Sequence, residues 1–394
     1  MTALHSAVVA RLGGDFLAGA FGRTYRVMPG DTEDVAGVIT WGDLNEIVAR
    51  HRLEPPRLRL STGGETVPLD TYSVREVTRR RTVWNRLHPA PLHAELAAGA
   101  SLVVDAIDEL HPGVEALATE LEAHLRTRVQ VNLYASWTSR EGFGVHWDDH
   151  DVVVVQVDGS KRWKLYGPTR TAPLHRDTTA PEPPPEDPVA EFVLTPGDML
   201  YLPRGWWHSV SASEGERSLH LTCGLSVDTG ADLIVWLSEV LRDHEIVRAD
   251  LPRFRSAKEQ MNTASELRDL LVRELSDPNI INQYFTLRDE NQRARFRTSL
   301  PHVDGLPADP ALSVRMLTTR HDLRRNAEGH PVLTAGGETF TFAEAAHPLL
   351  RILTDRRPHA LGNLASASGL TVEQAAGVAW ELVKKQVAAV DGDR

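Results

Sequence analysis

Three textures of hydrophobic patterning follow one another along this 394-residue chain. Up to about residue 128, short helical and extended patterns alternate. In TWGDLNEIVARHRL the apolar residues recur at helical spacing behind Thr40, which predicts a helix with Thr40 as its N-cap. GVEALATELEAHLRTRV predicts a longer amphipathic helix. From about 129 to 228 the pattern turns to short extended runs punctuated by Gly, Pro and Asp: VQVNLYASW, DVVVVQVDG, KRWKLYGP, EFVLTPGD, DMLYLPRG, WWHSVSA and RSLHLTCGLSV. Many short strands between turn residues predict a β-sandwich or barrel, and a double-sheet jelly roll is one such solution. The stretch TRTAPLHRDTTAPEPPPEDPVA (169–190) is too rich in proline for a central strand and reads as a long surface loop, a flap beside the barrel mouth. After about 229, DLIVWLSEVLRDH and ASELRDLLVREL return to helical periodicity. From about 311, extended runs (LSVRMLTTR, HPVLTAGGETFTF) mix with helical ones (EAAHPLLRILTD, ALGNLASASG, TVEQAAGVAWELVKKQ). Helix, short turn, helix and a flanking extended pair is the shape of a winged-helix module.

Composition narrows the class. With 41% hydrophobic and 25% charged residues, the chain suits a soluble globular protein of two or three domains. The single cysteine, Cys223, excludes a disulfide framework and a Cys-rich zinc site, suits a reducing cytosol, and is expected to be buried in its strand. The start, MTALHSAVVARLGGDFLAGAFG, has no basic leader and is broken by Arg11 and Asp15, so it reads as neither a signal peptide nor a membrane span. A net charge of -11 argues against nucleic acid as the main ligand and fits a basic protein or peptide better.

The chemistry concentrates in GFGVHWDDHDVVVVQVDGSKRW (142–163). Carboxylates set directly against a run of valines are costly to bury unpaired, and a shared metal explains them. If HWDDHD continues the strand, His146 and Asp148 project to one face and Trp147 to the other. A third ligand is available in TPGDMLYLPRGWWHSV, where two turns frame the strand MLYLP and His208 opens the next one. His146, Asp148 and His208 would then form the two-histidine, one-carboxylate triad of non-haem Fe(II) oxygenases, with open coordination positions. HxD alone is a weak signal; HxD followed by PGDxLYxPxGxxH among short strands is strong. His150 falls on the ligand face of a regular strand and is expected to line the pocket, with Asp149 an ordinary polar residue facing away. His220 is expected to be packed and hydrogen-bonded, and Trp206 and Trp207 to serve packing.

Residues 129–228 resemble the JmjC (cupin-type) 2-oxoglutarate oxygenases, specifically the ribosomal oxygenase branch, through HWDDHDVVVVQVDGSKRWKLYGP, FVLTPGDMLYLPRGWWHSV and SLHLTCG. The resemblance implies an α+β chain with a double-stranded β-helix (jelly-roll) catalytic domain over 1–228. A helical dimerisation segment over 229–310 and a winged-helix-like domain over 311–394 would follow. It puts the Fe(II) ligands on His146, Asp148 and His208, and the lysine that pairs with the distal carboxylate of 2-oxoglutarate on Lys161. Asn132, Tyr134 and Thr222 fall on positions lining the co-substrate pocket. The implied reaction uses O2 to convert 2-oxoglutarate to succinate while hydroxylating a C–H bond, on a histidine or arginine of a basic, ribosomal protein, in a cytoplasmic homodimer. Two departures bear on substrate: Gly224 stands where the branch often carries a hydroxyl, and the valine strand lacks the usual bulky aromatic. The same chemistry on a biosynthetic peptide or small molecule is an alternative. So is a non-catalytic binding protein, against which the intact triad and Lys161 speak.

Overall fold

The computed structural model describes residues 8–179, 181–212 and 216–392. The first seven residues, part of the stretch that reads as no signal peptide, lie outside them. The chain divides into two compact units, Met1–Val227 and Asp228–Arg394. Helix α1 (Trp41–Arg50) starts as its sequence predicts: the Thr40 hydroxyl accepts from the Asp43 N–H, and the Asp43 carboxylate accepts from the Thr40 N–H. Helices α2 (Pro89–Ala97) and α3 (Pro112–Leu125) complete the longer helices of this unit.

The strands of the first unit are β1 (Arg26–Met28), β2 (Leu58–Thr62), β3 (Glu65–Thr66), β4 (Ser73–Val77), β5 (Val83–Leu87), β6 (Ser101–Val104) and β7 (Arg128–Ser136). Then follow β8 (Asp151–Asp158), β9 (Lys161–Pro168), β10 (Ala190–Leu194), β11 (Met199–Leu202), β12 (Trp206–Ala212) and β13 (Ser218–Ser226). One sheet has eight strands in the order β1-β11-β8-β13-β7-β6-β2-β3; the second has three, β10-β9-β12; β4 and β5 form a separate hairpin. Between β8 and β13 the chain passes repeatedly from one sheet to the other, which is the double-sheet jelly roll. The first of these crossings turns at Gly159. Its φ is +62°, and a Cβ there would stand 1.9 Å from the Arg217 carbonyl oxygen, so only glycine fits.

The two faces of β8 explain the valine run. Val152 and Val154 pack between the sheets with Trp163, Leu165, Leu194 and Leu200. Val153 and Val155 point the other way, into a core shared with Leu117 and Leu121 of α3 and with Leu221 and Cys223 of β13. A strand covered on both sides reads as continuously apolar rather than alternating. Each valine so buried contributes on the order of 1.5–3 kcal/mol. The same alternation on β7 and β13 sends Val131, Leu133, Leu221 and Cys223 to the helix side. Asn132, Tyr134, His220, Thr222 and Gly224 are thereby turned to the inside of the roll. Among its described residues the proline-rich stretch before β10 holds no strand, and it has a short 3-10 turn over His175–Thr179.

The second unit opens with α4 (Gly230–Val240), α5 (Ala257–Leu275) and α6 (Ile280–Glu290). Beyond them lie β14 (Ser313–Met316), β15 (Asp322–Arg325), β16 (Pro331–Ala335) and β17 (Glu338–Thr341). They are followed by α7 (His347–Leu353), β18 (His359–Ala360), α8 (Leu361–Ser368), α9 (Val372–Val383) and β19 (Ala388–Asp391). Two small sheets, β18-β14-β19 and β15-β16-β17, accompany α7, α8 and α9, whose Leu349, Leu353, Leu364, Ala379 and Leu382 share a core with Val314 and Leu333. No helix among the described residues is long and apolar enough to cross a membrane.

Candidate metal centre

His146, Asp148 and His208 converge: one ligand atom from each lies within 4.8 Å of the others. The local structure differs from the extended strand that HWDDHD suggests. Strand β8 begins only at Asp151, and His146 pairs in isolation with His208, N–H to O at 3.0 Å one way and 2.8 Å the other. The Asp148 carbonyl accepts from the Gly205 N–H at 2.9 Å, which ties the second ligand to the turn before β12. Tandem charges cannot sit inside a sheet, so this segment is strapped along its rim. His208 lies at a bulge: the register of β12 on β9 shifts between Trp207 and His208. A bulge re-aims the side chain that follows it.

The rings are oriented by their own backbone. His146 Nδ1 lies 3.1 Å from the Gly144 carbonyl and His208 Nδ1 lies 2.9 Å from that of Trp206. Each Nδ1 must donate, which leaves each Nε2 lone pair for a cation. His208 Nε2 is 3.8 Å from Asp148 Oδ2, and the two histidine rings are 4.3 Å apart. Burial, with a second push from His146, lowers the His208 pKa to about 4, so its imidazole is neutral at ordinary pH.

Deeper in the roll, Lys161 is buried on β9 and makes no ion pair or hydrogen bond among the described residues. Burial lowers its ammonium to about 8. On the same face of β9, Trp163 stacks on His208 at 5.6 Å and meets His220 edge-on at 6.2 Å. Its indole N–H, like His220 Nδ1, is buried with no partner. His220 lies flat against Tyr134 at 5.0 Å, and its pKa is held well below normal, first by burial and then by Lys161. A buried cation and two orphaned polar groups on facing strands are complete only with an anionic guest. Tyr134 is also near the ligands: burial, and after it the Asp148 charge, push its phenol up. Asn132 accepts from the Ala106 N–H at 3.0 Å and stands opposite Thr222 in the sheet.

Several expectations need correction. Asp149 is no ordinary polar residue: its two oxygens bridge His150 Nδ1 at 3.0 Å and His175 Nδ1, in the proline-rich stretch, at 2.7 Å. His150, expected to line the pocket and not to bind metal, has its ring over Gly224, where a Cβ would come within 2.9 Å of its Cδ2. His220 is packed as expected, but Nδ1 lacks the expected hydrogen bond. Trp206 packs on Tyr25 at 5.4 Å, and the Trp207 indole donates to Thr169, as packing roles require. Sequence reasoning missed Asp151, which is buried and accepts from the Tyr201 hydroxyl and from the Arg204 N–H at 3.0 Å. Its signal was a carboxylate at the first position of an otherwise apolar strand.

Residues 111–233 match the family model of the JmjC domain, a class built on the cupin-type jelly roll. Within that class its similarity runs to ribosomal oxygenases. It is 37% identical over 106 residues to the bifunctional lysine-specific demethylase and histidyl-hydroxylase NO66 of Drosophila persimilis, covering 27% of this chain and 15% of that protein. It is 33% identical over 156 residues to ribosomal oxygenase 1 of Rattus norvegicus, covering 38% and 26%. The chain thus spans well under half the length of these curated relatives. Among solved structures, the ribosomal oxygenase YcfD of Escherichia coli, in complex with cobalt and 2-oxoglutarate, superposes with a TM-score of 0.60 over 96% of this chain and 98% of that one, at 17% identity. At that identity the match establishes the fold.

Proposed function

We propose that this chain is an Fe(II)- and 2-oxoglutarate-dependent protein hydroxylase that oxidises a histidine or arginine side chain of a basic ribosomal protein. The observation that carries this reading is the pairing, inside one jelly roll, of three convergent ligands with a buried lysine that has no counter-charge among the described residues. His146, Asp148 and His208 would hold the metal through two neutral imidazoles and one carboxylate, leaving a net positive centre with open positions. Lys161 would hold the distal carboxylate of the co-substrate, with the Trp163 indole and His220 beside it as available hydrogen-bonding groups. Asn132, Tyr134 and Thr222 would line the same pocket. When bound, the iron supplies activation of O2 and removal of hydrogen from carbon, coupled to conversion of 2-oxoglutarate to succinate. The chain orients the rings through Gly144 and Trp206, keeps His208 unprotonated, and excludes water with the Trp163 and Leu165 wall.

The similarity to a histidyl-hydroxylase and to ribosomal oxygenases supports this substrate class, as does a net charge of -11 facing a basic partner. In the second unit, α4, α5 and α6 leave Ile234, Val235, Leu271, Val272, Ile281 and Phe285 between 42 and 64% exposed. We assign 229–310 as a dimerisation segment that covers this apolar face with a second copy. Residues 311–394 would be the winged-helix-like domain, and the protein would act in the cytoplasm.

The test is incubation with Fe(II), 2-oxoglutarate and a ribosomal protein preparation. Succinate release, together with one oxygen atom gained on a histidine or arginine by peptide mass spectrometry, is expected. Loss of both in Asp148→Ala would tie them to this centre, and succinate without any oxidised peptide would redirect the search to small molecules.

A further inference from the structure

The first unit holds a second concavity that the triad does not line, a cavity of about 1630 Å³ between one face of the β4–β5 hairpin and helices α1 and α2. The hairpin register places Val74 opposite Arg86 and Glu76 opposite Trp84, and these four residues form its cavity face. The floor is apolar, with Leu44, Leu53, Leu92 and Leu96 buried beneath it. Trp41, Trp84 and Trp137, three of the nine tryptophans of the chain, stand in its walls.

The rim carries guanidinium groups. Arg50, Arg52, Arg86 and Arg217 line the cavity; Arg50 pairs with Glu46, Arg86 with Glu76 at 3.2 Å and Arg217 with Asp158 at 3.6 Å. The Arg52 guanidinium lies 4.2 Å from the centre of the Trp84 ring and has no carboxylate partner among the described residues; that of Arg217 lies 5.7 Å from Trp41. His51, His88 and His93 stand on the same rim. The three ion pairs are exposed, so an incoming carboxylate can replace the partner in each, and Arg52 is already open to one.

We propose that this cleft docks an acidic peptide segment carrying apolar side chains. The volume exceeds the ~300–1,000 Å³ of sites that enclose a small molecule. The arginines come from separate places in the chain: the end of α1 and the loop after it, β5, and the residue before β13. That spacing suits carboxylates distributed along a chain rather than one headgroup. Tryptophan and arginine are also the side chains that carry most binding energy at peptide and protein interfaces. The hairpin gains from an occupant, because two strands paired only with each other are marginally stable. The site is separate from the metal centre and stands whether or not the oxygenase reading holds.

The probe is a decapeptide of alternating glutamate and leucine, titrated into the full chain while tryptophan fluorescence is followed. A saturable change is expected, weakened at least tenfold in Arg52→Glu and again in Arg217→Glu, two exposed positions whose reversal leaves the circular dichroism spectrum intact. Three outcomes would overturn the proposal: no saturation, equal affinity for the corresponding lysine–leucine peptide, or tighter binding of dodecanoate, which would make the cleft a site for a small amphiphile.

Discussion

His146 and His208 hydrogen-bond each other through their backbones in both directions, at 3.0 and 2.8 Å, although His146 belongs to no strand. Each ring is then fixed by the carbonyl two residues before it. Two ligands from distant parts of the chain are therefore set by main-chain pairing. Asp148→Ala should separate folding from binding. Its side chain is part-exposed and sits 3.8 Å from His208 Nε2. Loss of the carboxylate is expected to weaken Fe(II) or Co(II) binding more than about a hundredfold by equilibrium dialysis. The metal-free protein should lose less than about 1 kcal/mol in urea. A large loss of stability would make Asp148 a structural residue.

Lys161 titrates at about 8 in the folded protein against 10.5 for a free lysine. The unfolded chain therefore holds the extra proton between these values, so ligand-free stability rises with pH across that window, and the destabilisation is complete below it. Lys161→Met removes a buried charge worth roughly 3 kcal/mol of destabilisation. The variant is expected to melt higher than the parent near pH 7 and to gain far less from added 2-oxoglutarate, which should stabilise the metal-loaded parent. In the parent, co-substrate affinity should fall as pH rises above about 8. A lower melting temperature in Lys161→Met, with 2-oxoglutarate stabilising it as strongly as the parent, would remove Lys161 from the pocket.

Gly224 and His150 share one space. A serine at 224 would bring Cβ to 2.9 Å from the His150 ring, closer than packed atoms come, so the ring must leave its place by Asp149. Gly224→Ser is expected to destabilise by about 1–3 kcal/mol. Gly224→Ser combined with His150→Ala should recover most of that loss in thermal melts. Additive destabilisation in the double variant would mean that the two residues do not compete.

Asp151 closes the rim from below, accepting from Tyr201 and from the Arg204 N–H in the turn that leads to β12. Asp151→Ala leaves both donors unpaired and should cost about 1–3 kcal/mol for each. Tyr201→Phe keeps the Arg204 bond to Asp151 but also strips the Gly22 N–H of its acceptor at 2.6 Å, so it too should cost about 1–3 kcal/mol. Urea denaturation that shows no loss in either variant would contradict this arrangement.

Much of this was legible because it rests on periodicity. Thr40, the α3 amphipathic stripe and the strands from β7 to β13 follow from spacing alone, and the HxD and PGDxLYxPxGxxH elements mark the ligands. What escaped depends on contacts between distant segments. The bridge through which His146 pairs with His208 has no local signature, because residues 145–150 carry neither strand nor helix periodicity. The Asp149 bridge to His175 crosses from the rim to the proline-rich stretch, and the His150 ring over Gly224 reflects the missing side chain at 224. The four-valine run gave a strand but not its two covered faces. Those required knowing that α3 backs one side and β9 the other.

The most direct test of the centre is an anaerobic titration of the metal-free protein with Fe(II) and 2-oxoglutarate, following the visible charge-transfer band of an iron-chelated keto acid. A band that saturates in the parent, vanishes in Asp148→Ala and needs far more 2-oxoglutarate in Lys161→Met is expected. A folded protein that binds the metal and shows no band at any 2-oxoglutarate concentration would contradict the oxygenase reading.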